Sequence, residues 1–270
     1  MNLINGIASD AIGLRDRGLA YGDGVFRTFT LRNGKPVLWE RQYGKLEHDC
    51  RGLGITCPPA RTLERDLSLL DTADCVVKII VTRGESARGY APPAPPAMPT
   101  RIVITAPLPE LPVSYARTGV RAHLCRLRLS SQPALAGIKH LNRLENVLAR
   151  SEWSDPDIAE GLMCNVAGNV IGGTMSNIFI VKNGALVTPS LSDCGVAGVA
   201  RQLVMELATA HAIQAQITDV SLDDLFAADE VFVVNSLIGL WPVIAADRNT
   251  WKRGALSAQM QTWIADAQVA

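Results

Sequence analysis

Two Asn-Gly pairs constrain this fold more than any other feature. Asn33-Gly34 lies between the apolar run Phe26 to Leu31 and the short run Pro36 to Leu38, and Asn183-Gly184 follows Ile178 to Val181. Asn and Gly tolerate the positive φ of a tight hairpin turn, so each pair predicts antiparallel neighbours. Helical spacing appears elsewhere: Arg41 to Leu53 before the stop at Gly54, Arg61 to Leu70, Asn142 to Ser154, Ala197 to His211, the short acidic Leu222 to Phe226, and Gly254 to Val269. Cys75 to Thr82, Arg101 to Thr105, Arg121 to Leu127, Gly161 to Val166 and Glu230 to Val234 read as strands. Ala91 to Thr100 carries five prolines and is excluded from regular structure. Hairpins mixed with helices predict α+β packing over a strictly alternating doubly wound sheet.

A chain of 270 residues is long enough for two modest domains. The Pro- and Leu-rich stretch Ala106 to Val113 reads as their connection, giving an N-terminal α/β domain over 1–109 and a C-terminal domain over 114–270. Formal net charge is zero, which predicts neither a nucleic-acid footprint nor a polybasic membrane patch. Six cysteines show no CxxC pair, and four histidines are scattered, so no metal site is expected and the thiols read as reduced, in a cytoplasmic protein. The N-terminus lacks a signal-peptide pattern, and no apolar run reaches membrane-spanning length. The absence of GxGxxG and GxxxxGK[ST] removes support for Rossmann and P-loop chemistry.

The chemistry-bearing stretch is Gly137-Ile138-Lys139-His140-Leu141-Asn142-Arg143-Leu144-Glu145. It places a lysine at the foot of a predicted amphipathic helix, after the apolar approach Leu135-Ala136-Gly137. Shielding from water lowers a lysine's pKa and makes the amine a nucleophile and base, as a pyridoxal 5'-phosphate Schiff-base lysine requires. Three stretches downstream suit the same cofactor. Gly195 to Arg201 (GVAGVAR) runs into an apolar-striped helix, whose free N–H groups suit a phosphate. Asn235-Ser236-Leu237-Ile238-Gly239 brings a hydroxyl and N–H groups to the end of a strand. Gly173 to Phe179 is a polar turn able to line a pocket. Upstream, Arg83 to Tyr90 sets arginines and a tyrosine on a glycine-hinged loop suited to an anionic substrate. Taken singly, these stretches are better explained as an ordinary helix start, turn or surface loop, and Gly173 to Phe179 equally well as a structural turn.

In order and spacing the pieces resemble the fold-type IV pyridoxal phosphate enzymes, of the D-amino-acid aminotransferase type. Within that group the resemblance is strongest to the 4-amino-4-deoxychorismate lyases. It is carried by DRGLAYGDGVF (Asp16 to Phe26), TRGESARGY (Thr82 to Tyr90), LAGIKHLNRLENVLAR (Leu135 to Arg150) and NSLIGLWPV (Asn235 to Val243). The resemblance implies Lys139 as the catalytic, cofactor-bearing lysine. It implies cofactor contacts at Lys45, Gly172 and Asn177, phosphate contacts from Val199 and Ala200 N–H groups and from the Ser236-Leu237 turn, and substrate contacts at Arg88 and Tyr90. It also implies a two-domain subunit with the cofactor between domains, a homodimer, and a small-molecule substrate cleaved to p-aminobenzoate and pyruvate. An aminotransferase of the same fold and a degenerate homologue with weak cofactor binding are the alternatives.

Three positions depart from the group's pattern. Gly172 stands where relatives usually place a glutamate five residues before Asn177, to pair with the pyridine nitrogen. Without that carboxylate the ring is a weaker electron sink. Glu160 is the alternative source of charge. Lys45 stands where an arginine is usual, and keeps the charge without the bidentate fork. Arg27 stands where many have Glu or Thr.

Overall fold

A computed structural model describes residues 1–269, and the chain divides into two compact units. The first is Met1–Pro109 together with Ile138–Asn142, and the second is Glu110–Gly137 together with the chain from Arg143 on. The segment bearing Lys139 thus clusters with the first unit.

The first unit contains β1 (Leu3–Ile4), β2 (Ile7–Ala8), α1 (Arg17–Tyr21), β3 (Gly24–Arg32), β4 (Lys35–Pro36), α2 (Trp39–Gly52), α3 (Ala60–Ser68), β5 (Cys75–Thr82) and β6 (Thr100–Ala106). They form a six-stranded antiparallel sheet ordered β2-β1-β6-β5-β3-β4. Side chains alternate across it. Val25, Phe29, Leu31, Val77, Ile79 and Val81 join Leu46, Cys50, Leu63 and Leu67 of the two helices in one core. Each such large side chain contributes about 1.5–3 kcal/mol by leaving water. The other face carries Phe26, Thr28, Lys78 and Ile80, all half-buried.

The second unit contains α4 (Val113–Arg117), β7 (Val120–Leu129), α5 (Leu144–Arg150), β8 (Ile158–Asn165), β9 (Val170–Gly173), β10 (Asn177–Lys182), β11 (Ala185–Pro189), α6 (Val199–Ala210), β12 (Ala215–Thr218), α7 (Leu222–Phe226), β13 (Glu230–Asn235), β14 (Gly239–Ala246), β15 (Asn249–Thr250) and α8 (Ala255–Val269). Its sheet has nine strands among the described residues, ordered β12-β11-β10-β13-β14-β7-β8-β9 with β15 beside β14. The pairs β11–β12, β14–β7 and β7–β8 are parallel and the rest antiparallel. The core gathers Leu162, Ile178, Ile180, Val231, Val233, Trp241 and Val243.

Both Asn-Gly pairs form their hairpins, with Asn33 and Asn183 at φ 50° and 52°. The helix expected over Asn142 to Ser154 is shorter, Leu144–Arg150. Residues before it are drawn into sheet-like pairing: Phe26 N–H donates to Lys139 O (2.9 Å) and Leu141 N–H to Gly24 O (2.9 Å). Backbone groups bonded to β3 are not available to a helix. The short helices α1 and α4 and the strands β9 and β12 carry no periodicity long enough to be read from sequence.

Candidate active site

Lys139 stands in that extended segment and not at the foot of a helix. Val25 bridges His140 antiparallel, which sets Lys139 opposite Phe26 on the same sheet face. The Lys139 Nζ lies 4.6 Å from the centroid of the Phe26 ring. Its shelter from water is therefore a sheet face with an aromatic ring, while its neighbour Ile138 is buried in the first unit's core.

The backbone of Lys139 is pinned from below. Its N–H donates to Asp49 Oδ2 at 3.0 Å. Asp49 is fully buried on α2 and makes a tight ion pair with buried Arg27. Lys45, one turn earlier on α2, brings Nζ to 4.0 Å from Asp49 Oδ1. Arg27, noted above only as a departure, thus neutralises the carboxylate that fixes the lysine. Asp49 was missed by the sequence reading. Its signal was an acidic residue between Leu46 and Cys50, on the buried stripe of a predicted helix.

The loop after β5 is held by buried Arg17. Its guanidinium donates to Ser86 Oγ (3.0 Å), Gly89 O (2.9 Å) and Tyr90 O (2.9 Å). Gly89 N–H donates to Tyr21 Oη at 3.0 Å. Arg83 pairs with Asp23 and donates to Leu53 O, so it holds structure. The neighbouring pair Arg17–Asp23 adds to this, and both arginines hold the Asp23 carboxyl below its ordinary value, against the opposing and larger single effect of burial. Arg88 and Tyr90 are left exposed, Tyr90 at 86%.

In the second unit, α6 starts at Val199 with Gly198 as N-cap and no side-chain cap. The N–H groups of Val199 and Ala200 therefore have no carbonyl one turn back within the helix. Asn177 secures this end: its Nδ2 donates to Val196 O (2.7 Å) and its Oδ1 accepts from Gly198 N–H (3.1 Å). A Cβ at Gly198 would meet Asn177 Oδ1 at 2.4 Å, so a larger residue there would displace the Asn177 side chain from the helix start. The side chain of Asn177 is thus committed to positioning the helix start. At the turn after β13, Asn235 Oδ1 accepts from Leu237 N–H (2.8 Å) and Ile238 N–H (2.9 Å). The Leu237 N–H is engaged there, and Ser236 occupies the turn between.

Glu160 on β8 is fully buried, and the turn after β9 encloses its carboxylate. Oε1 accepts from Gly161 N–H (2.9 Å), Thr174 N–H (3.0 Å) and Thr174 Oγ1 (2.5 Å), and Oε2 from Ser176 Oγ (2.7 Å) and Met175 N–H (3.4 Å). Burial raises its carboxyl above the ordinary value, against these bonds. Apart from the bond from Gly161 N–H, the donors to Glu160 all come from this turn. Gly172 pairs with Met163 in the β8–β9 hairpin, and a Cβ there would meet the Ser176 carbonyl oxygen at 2.9 Å. The turn that Glu160 organises is therefore the turn that must shift to admit a side chain at 172.

With this geometry in place, comparison with known proteins defines the class. The model of the amino-transferase class IV family matches residues 24–246, and the chain belongs to that family, with the mixed α/β fold-type IV architecture. Among its relatives, an aminodeoxychorismate lyase of Vibrio harveyi is 36% identical over 91% of this chain and 92% of that protein. The crystal structure of 4-amino-4-deoxychorismate lyase from Pseudomonas aeruginosa superposes with a TM-score of 0.95, at 46% identity, over 98% of both chains. The branched-chain amino acid aminotransferase of Escherichia coli shares the fold at a TM-score of 0.84 and 21% identity, over 97% of this chain and 92% of that one.

Proposed function

We propose that this protein is a pyridoxal phosphate-dependent lyase that splits 4-amino-4-deoxychorismate into p-aminobenzoate and pyruvate, a step of folate biosynthesis. The observation that carries this reading is the 46% identity with the Pseudomonas aeruginosa lyase over 98% of both chains. The residues fit the cofactor: a helix start with no side-chain cap suits a phosphate, and a lysine amine sheltered by Phe26 suits an aldehyde.

In this reading Val199 and Ala200 N–H groups and Ser236 hold the phosphate. Leu237 and Asn177 contribute by fixing the backbone of the turn and the helix start, and Lys45 adds positive charge. Gly172 leaves the space beside the Ser176 carbonyl open. Bound pyridoxal phosphate supplies the aldehyde that links the amine and the ring that draws electrons from it. The Lys139 amine removes the proton from the amine-bearing carbon of the substrate and returns one to the leaving group, since one amine serves as base and then acid. Arg88 and Tyr90, exposed on a loop fastened by Arg17, meet the anionic substrate. Aromatisation of the product makes the elimination strongly downhill, which suits a site with glycine at 172.

The working form in this proposal is a cytoplasmic homodimer. All six cysteines are free thiols, and no helix among the described residues is long and apolar enough to cross a membrane. The exposed stripe Leu144, Val147 and Leu148 on α5 favours a covered apolar face. Purified protein loaded with pyridoxal phosphate should release pyruvate from aminodeoxychorismate. Amino transfer to a 2-oxo acid without pyruvate release assigns it to the aminotransferases, and no visible-edge absorbance after cofactor addition assigns it to degenerate homologues.

A further inference from the structure

Lys78 is a second amine beside the first. On β5 it lies opposite Thr28, two residues along from the pair Phe26–Ile80, so its side chain shares the face of Phe26 and Lys139. The Lys78 Nζ lies 4.7 Å from the centroid of the same Phe26 ring that Lys139 Nζ approaches at 4.6 Å. Its cross-strand neighbours are Thr28 and Ile104, and among the described residues no carboxylate forms an ion pair with it. Half-burial on an apolar face disfavours its charge, and desolvation lowers its pKa. Of the other buried or half-buried cations in this unit, Arg17, Arg27, Arg83, Arg101 and Lys45 each have an acidic partner. A half-buried lysine without one is a cation awaiting an anion.

We propose that Lys78 binds one carboxylate of the substrate and so determines specificity for a dianion. This rests on the lyase reading above. Aminodeoxychorismate carries a ring carboxylate and an enolpyruvyl carboxylate, and simple amino acids carry one that adjoins the amine. An ammonium on the same face as the reacting lysine, sharing its aromatic floor, meets a carboxylate held away from the amine-bearing carbon. Phe26 serves both amines as an apolar platform whose face attracts a cation.

The test compares wild-type holoenzyme with Lys78→Met and Lys78→Arg. Lys78→Met should raise KM for aminodeoxychorismate about tenfold to a hundredfold, the loss of one charge-assisted hydrogen bond, with a smaller change in kcat. Lys78→Arg should recover most of the loss. By calorimetry, chorismate, which has both carboxylates but a hydroxyl for the amine, should bind Lys78→Met more weakly by the same factor. An unchanged KM and unchanged chorismate affinity overturn the proposal. So does a fall in kcat at fixed KM with a shifted pH midpoint of the cofactor absorbance, because Lys78 would then act on Lys139. Absence of pyruvate release from wild type sinks the lyase reading itself and takes this inference with it, a result distinct from equal KM values in two active proteins.

Discussion

Asp49 and Glu160 are both removed from water, one in each unit, and their charges are managed in opposite ways. Asp49 meets a cation: Arg27 pairs with it, and its second role is to accept the Lys139 N–H. Among the described residues Glu160 meets no cation, only hydroxyls and amides of its own hairpin and turn. Burial accordingly raises the Glu160 carboxyl, and on the ion-paired side it lowers the Arg27 guanidinium, with Asp49 opposing. The difference teaches what each unit fixes. The first uses an ion pair to lock the backbone at Lys139. The second uses neutral donors to shape a turn whose carbonyl faces position 172.

The largest expected effect is at the side chain Asp49 locks. Lys139→Ala should lower pyruvate release by about 10²–10⁴-fold or more, since both base and cofactor anchor are lost, as steady-state kinetics would read. Next is the lock itself. Asp49→Asn leaves Arg27 buried without a counter-charge and should cost about 3–5 kcal/mol in urea unfolding. Adding Arg27→Met should recover much of that, and strict additivity of the two changes would break the claim that they form one unit.

On the neutral side, Glu160→Gln should cost about 1–3 kcal/mol, because its amide cannot accept from the turn's N–H groups as the carboxylate does. A carboxyl raised in the folded state costs nothing while protonated, below the usual value of 4.5, and its cost grows as pH rises through the folded value. Wild type should therefore lose stability relative to Glu160→Gln as pH climbs above 4.5, and a difference independent of pH refutes the contrast with Asp49. Smallest is Gly172→Ala, about 1 kcal/mol, as the Ser176 carbonyl shifts to admit a methyl. Gly172→Glu needs the same shift. Where it folds, it should raise side transamination more than lyase turnover, and equal gains assayed side by side would count against the weak-sink argument.

Much of this was legible in the sequence, for local reasons. Asn33-Gly34 and Asn183-Gly184 fix their turns through their own backbone preferences, and CVVKIIVT is a strand on its own merits. GVAGVAR announces a helix start because small residues and missing N–H acceptors are neighbours in the chain. The setting of Lys139 was not legible as drawn. Its helical-looking flank is overruled by hydrogen bonds to β3, more than a hundred residues away. Asp49 and Arg27 were hidden for the same reason, since their meeting depends on how α2 lies on the sheet. Glu160 was considered as a charge for the cofactor, but its partners at Thr174 and Ser176 are fixed by the β8–β9 hairpin, which period-2 patterning did not reveal.

The most direct test asks which amine the cofactor takes. Protein loaded with pyridoxal phosphate, reduced with borohydride and mapped by peptide mass spectrometry, should carry the label on Lys139, and Lys139→Ala should carry none. Label on Lys78 in the wild type, or an unmodified Lys139 in fully loaded protein, contradicts the account.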